Sequence, residues 1–296
     1  MTTSGRPRGF DAYRERMQTL FAPEGVMRGL QMSVRPTDLF ITPFAKCGTT
    51  WLQQMVHSLR TRGDLDFDDI SRVVPWVETA DALGIDLQAP QRGEPRAFKS
   101  HLSWHMIPKG GRYLLALRDP RDALVSMYRF MEGWFFEPGS VDVSEFARRQ
   151  FMQRDDGMDY WSHLISWWQQ RDNPSVLLLA YEHMKTDLPG TVRRVADFIG
   201  VVLDDELLAT TLEQASLASM QAHKHKYDDL MMRELSERVS GLPPGSESSK
   251  VRKGEVGSHA RELPGDVVRE LDAIWTEAVT PETGFASYAA LLDALR

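Results

Sequence analysis

Apolar side chains recur at helical spacing over residues 11–20 and again over 49–60, where Trp51, Leu52, Met55, Val56 and Leu59 share one side. Residues 38–44 form a short apolar run of the buried-strand type. The stretch ITPFAKCGTTWLQQM, 41–55, therefore predicts a strand end, a turn and a helix start. GRYLLALRDPRDALVSMYRF repeats the arrangement, with a strand over 113–117, Arg118 at its end and a helix from Pro120. Asp119 is a natural N-cap there, Pro120 suits the first helical position, and Asp122 sits near the positive end of the helix. Residues 96–102 and SVLLLAYE are two more strands. Helices are predicted over 160–170, over 191–199 with Gly200 as C-cap, and over 264–279. Residues 72–87 read as a loop with a short helix. Strands alternating with helices predict an α/β fold, a central parallel sheet flanked by helices with ligands outside the strand C-terminal ends. From His223 the chain runs HKHKYDDLMMRELSERV and then GLPPGSESS, rich in turn formers, which predicts a mobile surface segment.

Composition narrows the function classes. The chain has 296 residues, 42% of them hydrophobic, enough for a substantial core. The formal charge is -7, with 42 acidic against 35 basic residues, so a nucleic-acid partner is not expected. No run approaches the roughly 20 apolar residues of a membrane span, and MTTSGRPRGF has no apolar segment behind its basic residues. One cysteine rules out an internal disulfide and fits a reducing compartment. A cytoplasmic location is the expectation.

A glycine-containing turn feeding a helix N-terminus directs several N–H groups at one point and suits a phosphate. Thr49 and Thr50 add hydroxyls and Lys46 a charge, giving a P-loop-like phosphate-binding turn. A complete Walker A pattern is absent: Thr49 stands where its lysine would be, and Lys46 lies ahead of Gly48. On its own the stretch reads equally well as an ordinary turn with a surface lysine. Cys47 lies beside Lys46 and a helix N-terminus, which depress a thiol pKa, although a small residue packed in the turn is the preferred reading. Lys99 and His101 are two apart on a strand, so their side chains share a face, and histidine is the natural base for a hydroxyl near neutral pH. His223 and His225 lack companions that would complete a metal site, and no metal is expected.

KCGTTW, 46–51, resembles the KSGTTW loop of the sulfotransferases that use 3′-phosphoadenosine 5′-phosphosulfate (PAPS), with cysteine in place of serine. FKSHL resembles the family's K-T-H-L strand end, and RDPRDALVS its R-N-P-K-D-x-x-x-S segment. YWSHLISWW followed by VLLLAYEHMK resembles its W-Y-x-H-V-x-x-W-W helix and V-L-x-L-x-Y-E-D-M-K strand, and VRKGEVG its R-K-G-x-x-G loop. The blocks occur in the family's order from about residue 30 to residue 258. The resemblance implies a single sulfotransferase domain over 1–296, with 223–258 forming a lid segment and the 3′-phosphate loop.

By resemblance, Lys46, Cys47, Gly48, Thr49 and Thr50 hold the 5′-phosphate end of the cofactor, while Arg118, Ser126, Arg252, Lys253 and Gly254 hold its 3′-phosphate. Trp51 would stack on adenine, with Tyr181 and Ser216 completing the base pocket. His101 would be the general base, and Lys46 and Lys99 would stabilise charge during transfer. VPWVE, 74–78, resembles a stretch lining the acceptor pocket, and Trp76, Trp104, Phe130, Trp134 and His163 could form an apolar slot for a small hydroxyl-bearing acceptor. The chain departs from the family at three places. Ala215, Ser216 and Leu217 stand for T-S-F, and Ser258, His259 and Ala260 for D-W-K; the K-x-x-x-T-V-x-x-x-E dimerisation segment of animal members is missing, leaving the oligomeric state open. An ATP-dependent kinase and a non-catalytic nucleotide-binding protein are the competing classes.

Overall fold

The computed structural model describes residues 5–154, 157–246, 248, 250, 251 and 254–295. Four strands form one parallel sheet: β1 Leu39–Ile41, β2 Ala97–Lys99, β3 Arg112–Leu117 and β4 Val176–Ala180, in the order β2-β1-β3-β4. The helices that matter for the site are α1 Phe10–Leu20, α2 Thr49–Thr61, α3 Pro120–Trp134, α4 Tyr160–Trp168, α5 Leu188–Ile199, α6 Leu230–Ser240 and α7 Gly265–Ile274. β1 leads into α2 and β3 into α3, as the repeated pattern predicts.

Alternate strand residues face opposite sides of the sheet, and both sides are covered, so the strands are apolar throughout rather than alternating. Phe40, Phe98, Tyr113, Leu115 and Leu117 pack toward Trp161 and Trp167 of α4 and the aromatic face of α3. Leu39, Ile41, Ala97, Leu114 and Ala116 pack on the other side against Leu52, Met55 and Val56 of α2 and Val192 and Val195 of α5. Strand order reverses at β1: β2 lies on one side of it and β3 on the other. A crevice opens at such a switch point, outside the strand C-terminal ends, and here it lies between the turn after β1 and Arg118 after β3.

The strands are shorter than the apolar runs that announced them. Beyond Ile41 the chain leaves the ladder at Thr42, whose N–H donates to Leu114 O at 2.8 Å, and then turns toward Lys46. The segment after His223 holds more regular structure than its turn formers imply. α6 places Met232 and Leu235 in the core shared with Met17 and Leu20 of α1. Burial of each such side chain contributes roughly 1.5–3 kcal/mol, which holds this helix on the body of the domain. Among the described residues, no helix is long and apolar enough to cross a membrane.

Candidate active site

A cavity of about 730 Å³ lies at the C-terminal ends of β1, β2 and β3, within the size range of small-molecule sites. Its first wall is the turn before α2. Lys46 and Gly48 both have positive φ, 69° and 93°, and a Cβ on Gly48 would stand 3.0 Å from Tyr181 Cδ2. Glycine is required there for both conformation and space. The first intrahelical bond of α2 runs from Leu52 N–H to Gly48 O at 3.0 Å, so the N–H groups of Thr49, Thr50 and Trp51 precede the helical ladder. Thr49 Oγ1 is buried and without a hydrogen-bond partner among the described residues. Such a cradle accepts an anion.

Cys47 belongs to this turn by its backbone, its N–H donating to Phe44 O at 3.0 Å. Its side chain is 1% exposed, does not line the cavity, and has a thiol pushed up to about 12 by burial, with Arg118 opposing. The thiol thus behaves as the packed small residue of the preferred reading, because desolvation outweighs the nearby positive charges.

Arg118 forms the second wall. Its Nη1 donates to Lys46 O at 2.8 Å and its Nη2 to Glu255 O at 3.2 Å, while Nε is buried without a partner among the described residues. The guanidinium lies 4.3 Å from the Tyr181 ring centroid. Ser126 and Gly254 line the same cavity. Gly254 has φ 57°, and a Cβ there would meet Lys185 Nζ at 3.5 Å and Leu217 Cδ1 at 3.8 Å. Arg252 and Lys253 lie outside the described residues. Asp122 accepts from Gly257 N–H at 2.6 Å and from His259 N–H and Nδ1 at 3.1 and 2.9 Å.

Trp51, Tyr181, Ser216 and Leu217 gather at one end of the cavity. Trp51 donates from Nε1 to Ala215 O at 2.8 Å and meets Tyr181 edge-on at 5.7 Å. The Leu217 side chain supplies an aliphatic surface here.

At the other end, β2 delivers Lys99 and His101. Glu78 Oε1 accepts from the His101 backbone N–H at 2.8 Å, and burial pushes that carboxyl upward. The imidazole Nδ1 lies 2.8 Å from Pro43 O. A carbonyl only accepts, so Nδ1 carries the proton and Nε2 keeps its lone pair. Burial and then the Lys99 charge hold the imidazole well below its ordinary pKa of 6.5, so it is neutral near pH 7. Lys99 Nζ sits 3.7 Å over the Trp76 ring, and its pKa is lowered to about 7, chiefly by burial and next by Lys250. Lys46 Nζ lies 4.2 Å over Phe130.

Trp76, Phe130 and Trp134 line the cavity as expected of an apolar slot, but Trp104 and His163 do not. Trp104 packs edge-on against Tyr113 and Trp167 at 5.2 and 5.4 Å, under the sheet rather than over its end. His163 is 1% exposed with Nε2 3.1 Å from Thr42 O, and burial lowers its pKa to about 3. His163 is turned toward the core by α4, whereas Trp104 lies in the loop after β2 and is held there by Tyr113 and Trp167. Glu78, Asp122, Asp229 and Lys250 were not singled out in the sequence as site residues. Their places depend on tertiary contacts, although VPWVE does contain Glu78.

A sulfotransferase domain model matches residues 36–281. Curated relatives include the luciferin sulfotransferase of Photinus pyralis, 25% identical over 289 residues, covering 86% of this chain and 74% of the relative. Sulfotransferase 2A1 of Rattus norvegicus is 28% identical over 253 residues, covering 82% and 85%. Among solved structures, retinol dehydratase in complex with androsterone and inactive cofactor PAP superposes with a TM-score of 0.70 at 20% identity, covering 92% of this chain and 95% of that one. Mouse sulfotransferase SULT7A1 complexed with PAP gives 0.65 at 20%, covering 88% and 90%. The structural likenesses establish the shared fold. With the domain matched along most of its length, and the phosphate turn, the Lys99–His101 strand end and Arg118 all inside the match, the chain belongs to the sulfotransferase family.

Proposed function

We propose that this enzyme transfers the sulfuryl group of PAPS to a hydroxyl of a small apolar or aromatic acceptor by in-line displacement, with His101 as general base. The observation that carries the reading is the locked imidazole: Nδ1 is tied to Pro43 O, leaving Nε2 as a proton acceptor in a cavity that Lys46 and Lys99 also line. The residues fit a bisphosphorylated nucleotide. Thr49 Oγ1 and Arg118 Nε are buried polar atoms still lacking partners among the described residues, and they belong to two separate anion-binding walls. The helix N-terminus with Gly48, Thr49 and Thr50 would hold the 5′-phosphate, and Arg118, Ser126 and Gly254 the 3′-phosphate, together with Arg252 and Lys253. Trp51, Tyr181 and Ser216 would hold the base, with Leu217 beside them. PAP, the product left when PAPS has given up its sulfuryl group, is present in the solved sulfotransferase structure of mouse, which supports the same cofactor here.

When bound, PAPS supplies an activated sulfuryl group on a phosphate leaving group. His101 Nε2 takes the proton as the acceptor oxygen bonds to sulfur. Lys46 and the turn N–H groups would stabilise the charge that develops on the leaving phosphate oxygen. Lys99 would stabilise the charge spread over the transferring group. Met131, Phe130, Trp134 and Met232 line the cavity and would form the apolar acceptor region, limiting water at the reacting groups. The androsterone and retinol of the solved retinol dehydratase complexes are apolar hydroxyl compounds of the class expected here.

His101→Ala tests the reading. Turnover should fall by about 10²–10⁴-fold, the usual contribution of a general base, while the dissociation constant of PAP stays within a few-fold. Normal turnover at saturating PAPS would remove His101 from the chemistry.

A further inference from the structure

Asp229 and Lys250 form a buried ion pair in the cavity wall. Asp229 is 2% exposed and holds φ 51° at the start of α6, where its carbonyl accepts the Arg233 N–H at 2.8 Å. These contacts hold its backbone, and the Lys250 contact holds its carboxylate. Oδ2 takes the Lys250 ammonium, whereas Oδ1 is buried with no hydrogen-bond partner among the described residues. The pair lines the same cavity as Lys99 and His101.

A purely apolar acceptor gives no reason for this pair. A buried ion pair is costly to desolvate, and well-packed apolar residues in its place are often as stable or more so. We propose that Asp229 and Lys250 form a polar subsite that receives a second, neutral hydroxyl of the acceptor. The inference rests on the assignment of this cavity to sulfuryl transfer. One hydroxyl satisfies both partners: it donates to Asp229 Oδ1 and accepts from a Lys250 hydrogen not engaged by Oδ2. An ammonium fits less well, because the Lys250 ammonium already engages Oδ2 and Lys46 and Lys99 line the same cavity. A carboxylate would face Oδ1. The preferred acceptor is thus an apolar skeleton carrying two hydroxyls, one for His101 and one for the ion pair.

The test is calorimetric titration of the PAP-saturated protein with 4-(ω-hydroxyalkyl)phenols of one to four methylenes. Each is compared with the 4-alkylphenol of equal heavy-atom count, and with the corresponding amines and carboxylates. At least one hydroxyalkyl compound should bind about tenfold or more tightly than its alkyl match, as expected for hydrogen bonds to charged groups. In Asp229→Asn/Lys250→Met, which keeps a residue tolerant of positive φ at 229, that advantage should shrink below threefold. A merely structural latch would weaken both members of a pair alike and leave their ratio unchanged. Equal or tighter binding of every alkyl match by the unaltered protein overturns the subsite whether or not the variant folds. An advantage for the amine or carboxylate overturns the neutral-hydroxyl assignment. Failure of the unaltered protein to bind PAP would instead remove the sulfotransferase reading, and the subsite with it.

Discussion

In the proposed chemistry Lys99 and His101 need opposite protonation states, and the cavity favours the neutral form of both. The imidazole must be neutral to accept a proton, and burial with the Lys99 charge keeps it so. Lys99 must be charged to meet an anion, yet burial brings it to about 7 in the free protein. As pH rises through 7, Lys99 therefore loses the charge that attracts the cofactor. The predicted pH profile of kcat/KM for PAPS has its acid limb below pH 6.5 and begins to fall near pH 7. In kcat the alkaline fall should move upward, because a bound anion favours the ammonium form. A kcat/KM that climbs from pH 7 to 9 would contradict this account of Lys99. The K-x-H spacing made these two residues legible in the sequence, since alternate residues of a strand share a face. The hydrogen bond from His101 to Pro43 O was not legible, because it crosses between strand ends and depends on the path of the turn.

The element-scale feature is how three segments are tied around the cofactor site. Asp122, in the first turn of α3, accepts three hydrogen bonds from Gly257 and His259, and Arg118 bridges Lys46 O and Glu255 O. The β3–α3 junction thereby fixes both the phosphate turn and the segment after Gly254. Asp122→Ala removes part-buried hydrogen bonds to a carboxylate, of a kind that contributes about 1.5–3 kcal/mol. The expected result is PAP affinity weakened by about tenfold or more, with kcat at saturating PAPS within about threefold. Unchanged affinity would show that Asp122 does not position this segment. Asp119, Pro120 and Asp122 were readable as a helix start, and Asp119 does accept from Arg121 N–H at 2.9 Å. The second role of Asp122 was hidden, because its partners follow more than 130 positions later. His259 stands where the family's D-W-K pattern has tryptophan, and here it bonds Asp122 through both its N–H and Nδ1.

At the scale of the whole molecule, the sheet order places two strand–turn–helix units side by side with their phosphate-facing ends together. The alternation of apolar strands and amphipathic helices made that architecture legible, and the phosphate turn and Arg118 were found where the pattern predicts. The aromatic acceptor slot was only partly legible. An aromatic side chain on α4 is equally suited to core or cavity, and only the packing of Trp167, Tyr113 and Trp104 on one another shows which wins. Asp229 and Lys250 escaped notice because their pairing joins the start of α6 to the chain about twenty positions later, which periodicity does not report.

The central claim is a pocket for two separated phosphates, and the most direct measurement is a thermal-shift comparison of PAP with ATP, each with and without magnesium. PAP at a hundred times its dissociation constant should add about 2.7 kcal/mol of stability with no magnesium requirement, whereas ATP gives little shift. Stabilisation by magnesium ATP alone, with none from PAP, would contradict the account and make the turn before α2 a kinase-like loop.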